Sequence, residues 1–131
     1  MSDEVYKEII LDHYKNPHNF RQLAEPSFKA DDSNPLCGDH IELSVKVADG
    51  RVSEVGFIGK GCAISQAAAS ILTDLIQGKT LDELKGMEKE QLLEAMGNPD
   101  LGPVRIKCAL LSLKTLKLGL YPYMSARGPT P

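Results

Sequence analysis

The sequence predicts an α+β fold, in which a small antiparallel three-stranded β-sheet has α-helices packed on one face. Two adjacent segments alternate apolar and polar residues and are joined by the hairpin signal Asp49-Gly50. The segments before and after this hairpin instead repeat their apolar residues with helical spacing. A length of 131 residues suits one domain that spans residues 1–131, and residues 125–131 are expected to form a mobile tail.

The N-terminal elements are a helix over residues 3–15 and a short edge strand over residues 27–31. Apolar side chains in the first segment follow helical spacing, and Asn16-Pro17 ends it because the residue before a proline avoids the helical region. In the edge strand, Phe28 and Ala30 are expected to share one face.

The central hairpin gives the clearest strand signal. Residues 41–47 alternate apolar residues with polar or charged ones, which is typical of a strand with one buried face. The return strand covers residues 51–58. Its alternation slips by one position between Val52 and Val55, which predicts either a β-bulge or a late start of the strand there.

The next predicted elements are helical. A helix over residues 63–77 is expected to stop at Gly78, since glycine favours the backbone conformation that ends helices. Thr80 and Glu83 have the spacing of a capping box, which opens a short helix that ends near Lys85.

Two further helices complete the chain. One is predicted over residues 88–96. The last is expected to begin near Pro103, because proline suits the first helical turn, and to end at Tyr121-Pro122.

The charge pattern argues against nucleic acid and membrane partners. The net charge is −3, and lysines are interspersed with acids rather than collected in one block. The acidic start Met1-Ser2-Asp3-Glu4 is unlike a signal peptide, and no apolar run approaches membrane-spanning length. A cytoplasmic protein is therefore expected, and in a reducing compartment its three cysteines more often bind metal or react than form disulfides.

The segment Asn34-Pro35-Leu36-Cys37-Gly38-Asp39 carries the first candidate ligands. Cys37 and Asp39 lie two positions apart, so an extended backbone projects both side chains to the same side. Cys62 is expected to open a helix, and Cys108 lies in the first turns of the last helix. We interpret the three thiols and the carboxylate as one metal site; the alternative is that the cysteines are small buried residues without a ligand.

The chemistry of these ligands fits tetrahedral zinc or the iron of an iron–sulfur cluster. Because a stable cluster is normally held by four cysteines, a carboxylate in place of one thiolate is expected to ease release of the cluster. The positive end of the helix dipole at Cys62, together with Lys60 and Lys107 beside two of the thiols, favours thiolates.

The three histidines are not expected to be ligands. His13 lies on a helical face with Ile9 and Ile10, where a packed or surface histidine is the more common outcome. His18 in a loop and His40 on the outward face of a strand are expected to be solvated.

Four motifs occur in order along the chain. They are Leu11-Asp12-His13-Tyr14-Lys15-Asn16-Pro17, Leu36-Cys37-Gly38-Asp39, Gly61-Cys62-Ala63-Ile64-Ser65 and Pro103-Val104-Arg105-Ile106-Lys107-Cys108. Together they resemble the iron–sulfur cluster assembly scaffolds of the IscU and NifU N-terminal type, which include the SufU branch. The resemblance extends from about Tyr6 to Leu120 and implies the same α+β fold.

This resemblance implies a scaffold that receives sulfur from a cysteine desulfurase, combines it with iron, holds a transient 2Fe–2S cluster and passes it to apoproteins. It implies that Cys37, Asp39, Cys62 and Cys108 hold the cluster, or Zn²⁺ in the isolated protein. Cys108 is the predicted acceptor of persulfide sulfur, with Lys107 beside it to favour the thiolate. Such a protein is a carrier rather than an enzyme.

Departures from the IscU pattern leave alternatives open. Lys107 stands where IscU usually has histidine, and lysine is typical of SufU, whose members act as zinc-dependent sulfur acceptors and would count as sulfurtransferases. The stretch between Cys62 and Cys108 is nevertheless short for SufU. The segment Leu101-Gly102-Pro103-Val104-Arg105 only approximates the motif that a DnaK-type chaperone binds in IscU. A structural zinc module without turnover is the third alternative, and homo-oligomerisation stays open.

Overall fold

The computed structural model describes residues 3–35 and 38–127 of the chain. Its elements in chain order are α1 (Asp3–Lys15), β1 (Phe28–Asn34), β2 (Asp39–Ala48), β3 (Arg51–Lys60), α2 (Ala63–Ile76), α3 (Leu81–Lys85), α4 (Lys89–Ala95) and α5 (Pro103–Arg127). The helix predicted over residues 3–15 is therefore confirmed, as is the change from strand to helix at the glycine-rich corner after β3.

The strands form one antiparallel sheet in the order β1-β2-β3, which confirms the predicted α+β fold. The apolar side chains of β2 at Ile41, Leu43 and Val45 are buried in the core, as their alternation predicts. On the hairpin, Val47 pairs with Val52 whereas Lys46 pairs with Glu54, so one residue of β3 has no counterpart on β2. The predicted β-bulge is confirmed at this point.

Helices α2 and α5 pack on the sheet, with α5 against β1 and β2 and α2 against β3. A Cβ atom at Gly119 would lie 2.9 Å from Cδ1 of Phe28 and 3.0 Å from Cβ of Ala30. Glycine therefore allows α5 to approach β1 closely, and Phe28 and Ala30 share the face that meets it. Helix α2 also packs against α1 and α5, so it lies at the centre of the helical layer.

The segment after α1 covers the free edge of β3. The N–H of Arg21 donates to the carbonyl of Phe57 (2.9 Å), and the N–H of Phe57 donates to the carbonyl of Asn19 (3.0 Å). These bonds satisfy backbone groups that an edge strand would otherwise expose. They also fix the position of His18 beside helix α2.

The predicted capping box at the start of the first short helix is present. The N–H of Glu83 donates to Oγ1 of Thr80 (3.1 Å), and the N–H of Thr80 donates to Oε1 of Glu83 (2.8 Å). These reciprocal bonds make the capping box that begins α3. The helix predicted over residues 88–96 is present as α4, and Glu88 is its N-cap residue.

Strands β1 and β3 extend further than the sequence indicates. We predicted an end of β1 at Asp31, but Ser33 pairs with His40 and Asn34 pairs with Asp39. Pairing with β2 therefore outweighs the low strand preference of serine and asparagine. Strand β3 similarly continues beyond Ile58 to Lys60, which lies opposite His40. Both extensions lead towards the predicted ligands.

The predicted end of the last helix at Tyr121-Pro122 is wrong. Helix α5 has 25 residues and continues through Pro122 to Arg127. The carbonyl that loses its partner belongs to Leu118, which is 49% exposed, so water can satisfy it. Beyond the proline, the ring of Tyr123 packs on Phe28 with centroids 5.1 Å apart, and this contact holds the last turns of α5 against β1.

The predicted tail is thus helical in its first part, residues 125–127, whereas residues 128–131 lie outside the described residues. No helix within residues 3–35 and 38–127 is long and apolar enough to cross a membrane.

Candidate metal site

Three of the predicted ligands converge at one end of the sheet. One carboxylate oxygen of Asp39 and the sulfur atoms of Cys62 and Cys108 all lie within 4.8 Å of one another. Asp39 begins β2, Cys62 follows β3 as the N-cap of α2, and Cys108 lies in the second turn of α5. Cys37 lies outside the described residues, so its place in this site stays a prediction.

Asp39 is buried and has two different oxygen environments. The side chain is 1% exposed, and Oδ1 accepts the N–H of Cys62 at 2.8 Å. The second oxygen, Oδ2, lies 3.7 Å from Sγ of Cys62. One oxygen is therefore held by the backbone, and the other is directed to the thiol and available as a single ligand atom.

Gly61 makes the approach of α2 to Asp39 possible. Its φ is +136°, a conformation that residues with a side chain rarely adopt. A Cβ at this position would lie 2.2 Å from Oδ1 of Asp39. The glycine before Cys62 therefore permits both the corner between β3 and α2 and the hydrogen bond that orients the carboxylate.

Cys62 replaces the usual oxygen side chain at a helix N-cap. Its backbone is extended, with φ −72° and ψ 162°, and its sulfur accepts the N–H of Ser65 at 3.5 Å. Backbone N–H groups and the positive end of the helix dipole both favour negative charge at this sulfur. Because Cys62 is only half-buried, it is also the more accessible of the two thiols that the structure describes.

Cys108 is 1% exposed and faces the end of β1. The side-chain amide of Asn34 donates to its sulfur at 3.7 Å. The sequence predicts no contact for Asn34, which only begins the segment that carries Cys37 and Asp39. Its polar contact with Cys108 depends on the pairing of Asn34 with Asp39, and no local pattern indicates that pairing.

The two lysines of the predicted site are exposed, whereas Cys108 is buried. Lys107 and Cys108 are consecutive in α5, and consecutive helical side chains do not face each other. The role of Lys107 beside the predicted sulfur acceptor therefore stays a prediction, as does the effect of Lys60.

The distances at this site fit a tetrahedral zinc ion. With Zn–S near 2.3 Å and Zn–O near 2.1 Å, two ligands of the same ion lie about 3.6 Å apart. The distance between Sγ of Cys62 and Oδ2 of Asp39 is 3.7 Å. Two thiols and one carboxylate are also ligands that zinc and iron both accept. The donor set therefore fits a metal ion, with one further position for a fourth ligand.

Comparison with known proteins places the chain in a family. The sequence model described as the NifU-like N terminal domain matches residues 5–129. The chain belongs to this family. The family resemblance predicted from the four motifs is confirmed.

Relatives within the NifU-like N terminal domain family carry two kinds of name. The chain is 37% identical over 134 residues to the zinc-dependent sulfurtransferase SufU of Bacillus subtilis, and the aligned region covers 90% of each chain. It is 33% identical over 132 residues to the iron–sulfur cluster assembly scaffold protein IscU of Escherichia coli, and the aligned region covers 94% of this chain and 97% of IscU.

Solved structures agree with the NifU-like fold. A putative iron–sulfur cluster assembly scaffold protein for the SUF system from Fervidobacterium islandicum matches with a TM-score of 0.74 and 28% identity, over 92% of this chain and 99% of the other. The N-terminal part of a NifU-like protein from Brucella abortus matches with a TM-score of 0.76 over 96% of this chain and 98% of the other; at 23% identity it supports the fold alone.

Proposed function

We propose that this protein is a scaffold on which an iron–sulfur cluster is assembled and from which it is transferred to apoproteins. The observation that carries the proposal is the convergence of Asp39, Cys62 and Cys108 within 4.8 Å. Two soft thiolates suit the iron–sulfide core, and a hard carboxylate weakens the hold on it. The relatives named as cluster assembly scaffolds support the same activity.

The cargo is a 2Fe–2S cluster. Four protein ligands hold such a cluster, and Cys37, Asp39, Cys62 and Cys108 supply that number. Asp39 would offer Oδ2 to the cluster, which lies on the side of the Cys62 sulfur, while Oδ1 accepts the N–H of Cys62. A carboxylate bound through one atom and already stabilised by a hydrogen bond is a good leaving ligand, so release begins at Asp39.

Sulfur arrives as the outer sulfur of a persulfide on a cysteine desulfurase. A thiolate of this protein attacks that sulfur; a new S–S bond forms, and the desulfurase cysteine leaves as a thiolate. A thiol or other two-electron reductant then converts the bound sulfur to sulfide. Cys108 is the predicted acceptor, and its burial requires the first turns of α5 to open. The half-buried Cys62 is the alternative acceptor.

A zinc-dependent sulfurtransferase is the second candidate function. It is supported by the relative of that name, by Lys107, and by the distance of 3.7 Å between Cys62 Sγ and Asp39 Oδ2, which fits two ligands of one zinc ion. In this function Asp39, Cys62 and Cys108, with Cys37, would hold the zinc. Zinc would supply a deprotonated, metal-bound thiolate. A structural zinc module, the third candidate, would hold the same zinc but would transfer no sulfur.

Anaerobic reconstitution with ferrous iron, cysteine and a cysteine desulfurase tests these functions. The scaffold is expected to develop the visible absorbance of a 2Fe–2S cluster and to pass the cluster to an apo-ferredoxin. Failure to load, combined with stimulation of the desulfurase by the zinc-bound protein, would support the sulfurtransferase instead. If no cluster forms and the desulfurase is not stimulated, the structural zinc module is the remaining candidate.

The remaining partners follow from the same proposal. A cysteine desulfurase and apo iron–sulfur proteins are the partners that the scaffold requires. Chaperone binding at residues 101–105 is a weaker proposal, although Val104 of this segment is 52% exposed and therefore accessible to a partner.

A further inference from the structure

A second cluster of metal-ligating side chains lies where α1 and the following segment pack on α2. One ring nitrogen each of His13 and His18 and one carboxylate oxygen of Asp74 all lie within 4.8 Å of one another. His13 belongs to the last turn of α1, His18 follows that helix, and Asp74 lies near the end of α2. The sequence gives no hint of this cluster, because Asp74 is more than fifty residues away from both histidines.

The cluster is open to solvent on one side. The side chains of His18 and Asp74 are 45% and 44% exposed, and Nδ1 of His18 lies 2.5 Å from Oδ2 of Asp74. The ring of His13 is half-buried, and its centroid is 4.4 Å from that of His18. A ligand at this point would therefore have protein on one side and water on the other.

Neighbouring polar groups hold all three residues in place. Nδ1 of His13 lies 2.8 Å from Oγ of Ser70, which leaves Nε2 as the nitrogen available to a ligand. The backbone N–H of His18 donates to the same Oγ at 2.8 Å, which fixes the main chain at this residue, and the amide of Asn19 donates to Oδ1 of Asp74 at 3.1 Å. The partners of His13 and Asp74 thus contact the atom that is not used for the ion, as is typical of metal sites.

We propose that His13, His18 and Asp74 form a second metal site, which takes a divalent ion of the zinc class. Two imidazoles and one carboxylate are ligands that Zn²⁺, Cu²⁺ and Ni²⁺ accept, and water on the exposed side completes the coordination. Nδ1 of His18 and Oδ2 of Asp74 lie 2.5 Å apart, and an ion that binds both atoms would separate them to about 3.3 Å.

The protonation of His13 agrees with this assignment. Burial lowers the pKa of His13 below its usual value of 6.5, and the nearby His18 lowers it further, whereas Asp74 and Asp12 oppose the shift. A neutral imidazole is the form that binds metal.

The second site is independent of the thiol site. Cys62 caps the start of α2 and Asp74 lies near its end, twelve residues later, which corresponds to about 18 Å along a helix axis. One ion cannot bridge them. An ion at the second site would fasten the segment between α1 and β1 to α2, and this would stabilise the segment that covers the edge of β3.

The three histidines of the chain provide a direct test. We would fill the thiol site of the full-length protein with zinc, add further Zn²⁺ and follow the imidazole ring signals of His13, His18 and His40 by nuclear magnetic resonance. The rings of His13 and His18 are expected to shift while that of His40 stays in place. His40 is a matched internal control, because it also contacts a serine, Ser33 (2.6 Å), and an aspartate, Asp31 (3.4 Å), without a second histidine.

Variants separate a metal site from a hydrogen-bonded contact. Asp74→Asn preserves the size of the side chain and is expected to weaken this second zinc at least roughly tenfold, as is His18→Asn, whereas His40→Asn should bind like the wild type. Circular dichroism establishes that each variant is folded, and His18→Asn serves alone if Asp74→Asn does not fold. The proposal is overturned if zinc shifts none of the three rings, shifts all three equally, or binds the folded variants as it binds the wild type.

Discussion

Replacing Asp39 is expected to lengthen the life of a bound cluster. Loss of iron leaves a buried anionic carboxylate, and the N–H of Cys62 stabilises that anion at 2.8 Å from Oδ1. A hydrogen bond to a charged group is worth ~1.5–3 kcal/mol. If Asp39→Ala removes this stabilised leaving ligand, cluster release should slow by roughly tenfold to a hundredfold.

A second substitution separates ligation from folding. Asp39→Asn keeps an oxygen that accepts the N–H of Cys62 but removes the charge that binds iron. Both variants should therefore retain the cluster longer than the wild type. Asp39→Ala should in addition lower the free energy of unfolding of the metal-free protein by ~1–3 kcal/mol, because it leaves a buried N–H without its acceptor.

The assay is the decay of the visible absorbance of the cluster in the presence of a chelator, at equal initial loading. Asp31→Ala is the control, since it removes an aspartate whose side chain is 61% exposed, on the neighbouring strand β1. Faster decay in both Asp39 variants would refute the reasoning and make Asp39 an ordinary structural ligand. If no protein can be loaded while zinc-bound wild type accelerates the desulfurase, the sulfurtransferase function replaces the scaffold.

Three other predictions concern the same site. The isolated protein is expected to retain about one tightly held zinc per chain at the thiols, as in a closed tetrahedral site; full retention in the Cys37→Ala, Cys62→Ala double variant, measured by metal analysis, would exclude these ligands. Mass spectrometry after reaction with a desulfurase and cysteine should place the added sulfur on Cys108, and labelling that persists in Cys108→Ser would reassign the acceptor. Gly61→Ala should lower the free energy of unfolding by ~1–3 kcal/mol, because alanine is strained at the φ of +136°; its Cβ would also lie 2.2 Å from Oδ1 of Asp39, which adds to the loss. A change under ~0.5 kcal/mol in urea unfolding would contradict this prediction.

The two proposed sites differ in the access that they give to partners. Cys62 is half-buried and Cys108 is buried, so the thiol site exposes one described sulfur to an incoming donor. The cluster of His13, His18 and Asp74 has no thiolate and therefore offers neither sulfur acceptance nor a soft ligand for a cluster. Loss of the second site should accordingly leave sulfur transfer unchanged, which keeps the tests of the two proposals independent.

Elements whose signals act over a few residues could be predicted from the sequence. The β-hairpin follows from the alternation on both sides of Asp49-Gly50, and the slip after Val52 locates the bulge. The capping box of Thr80 and Glu83 begins α3 as predicted. Cys62 was likewise predicted to open a helix, because a glycine-rich corner separates a strand period from a helical period.

Features that depend on distant partners could not be predicted, because long-range packing sets them. Strand β1 continues to Asn34 because β2 pairs with it, and α5 passes Pro122 because the affected carbonyl belongs to an exposed residue while Tyr123 packs on Phe28. Local preferences of a few tenths of a kcal/mol per residue yield to such contacts. The convergence of Asp39 with Cys62 and Cys108, and that of His13 with Asp74, requires α2 and α5 to pack on the sheet and on α1. A sequence supplies the ligand types, but their distances are set by packing between segments that are far apart in the chain.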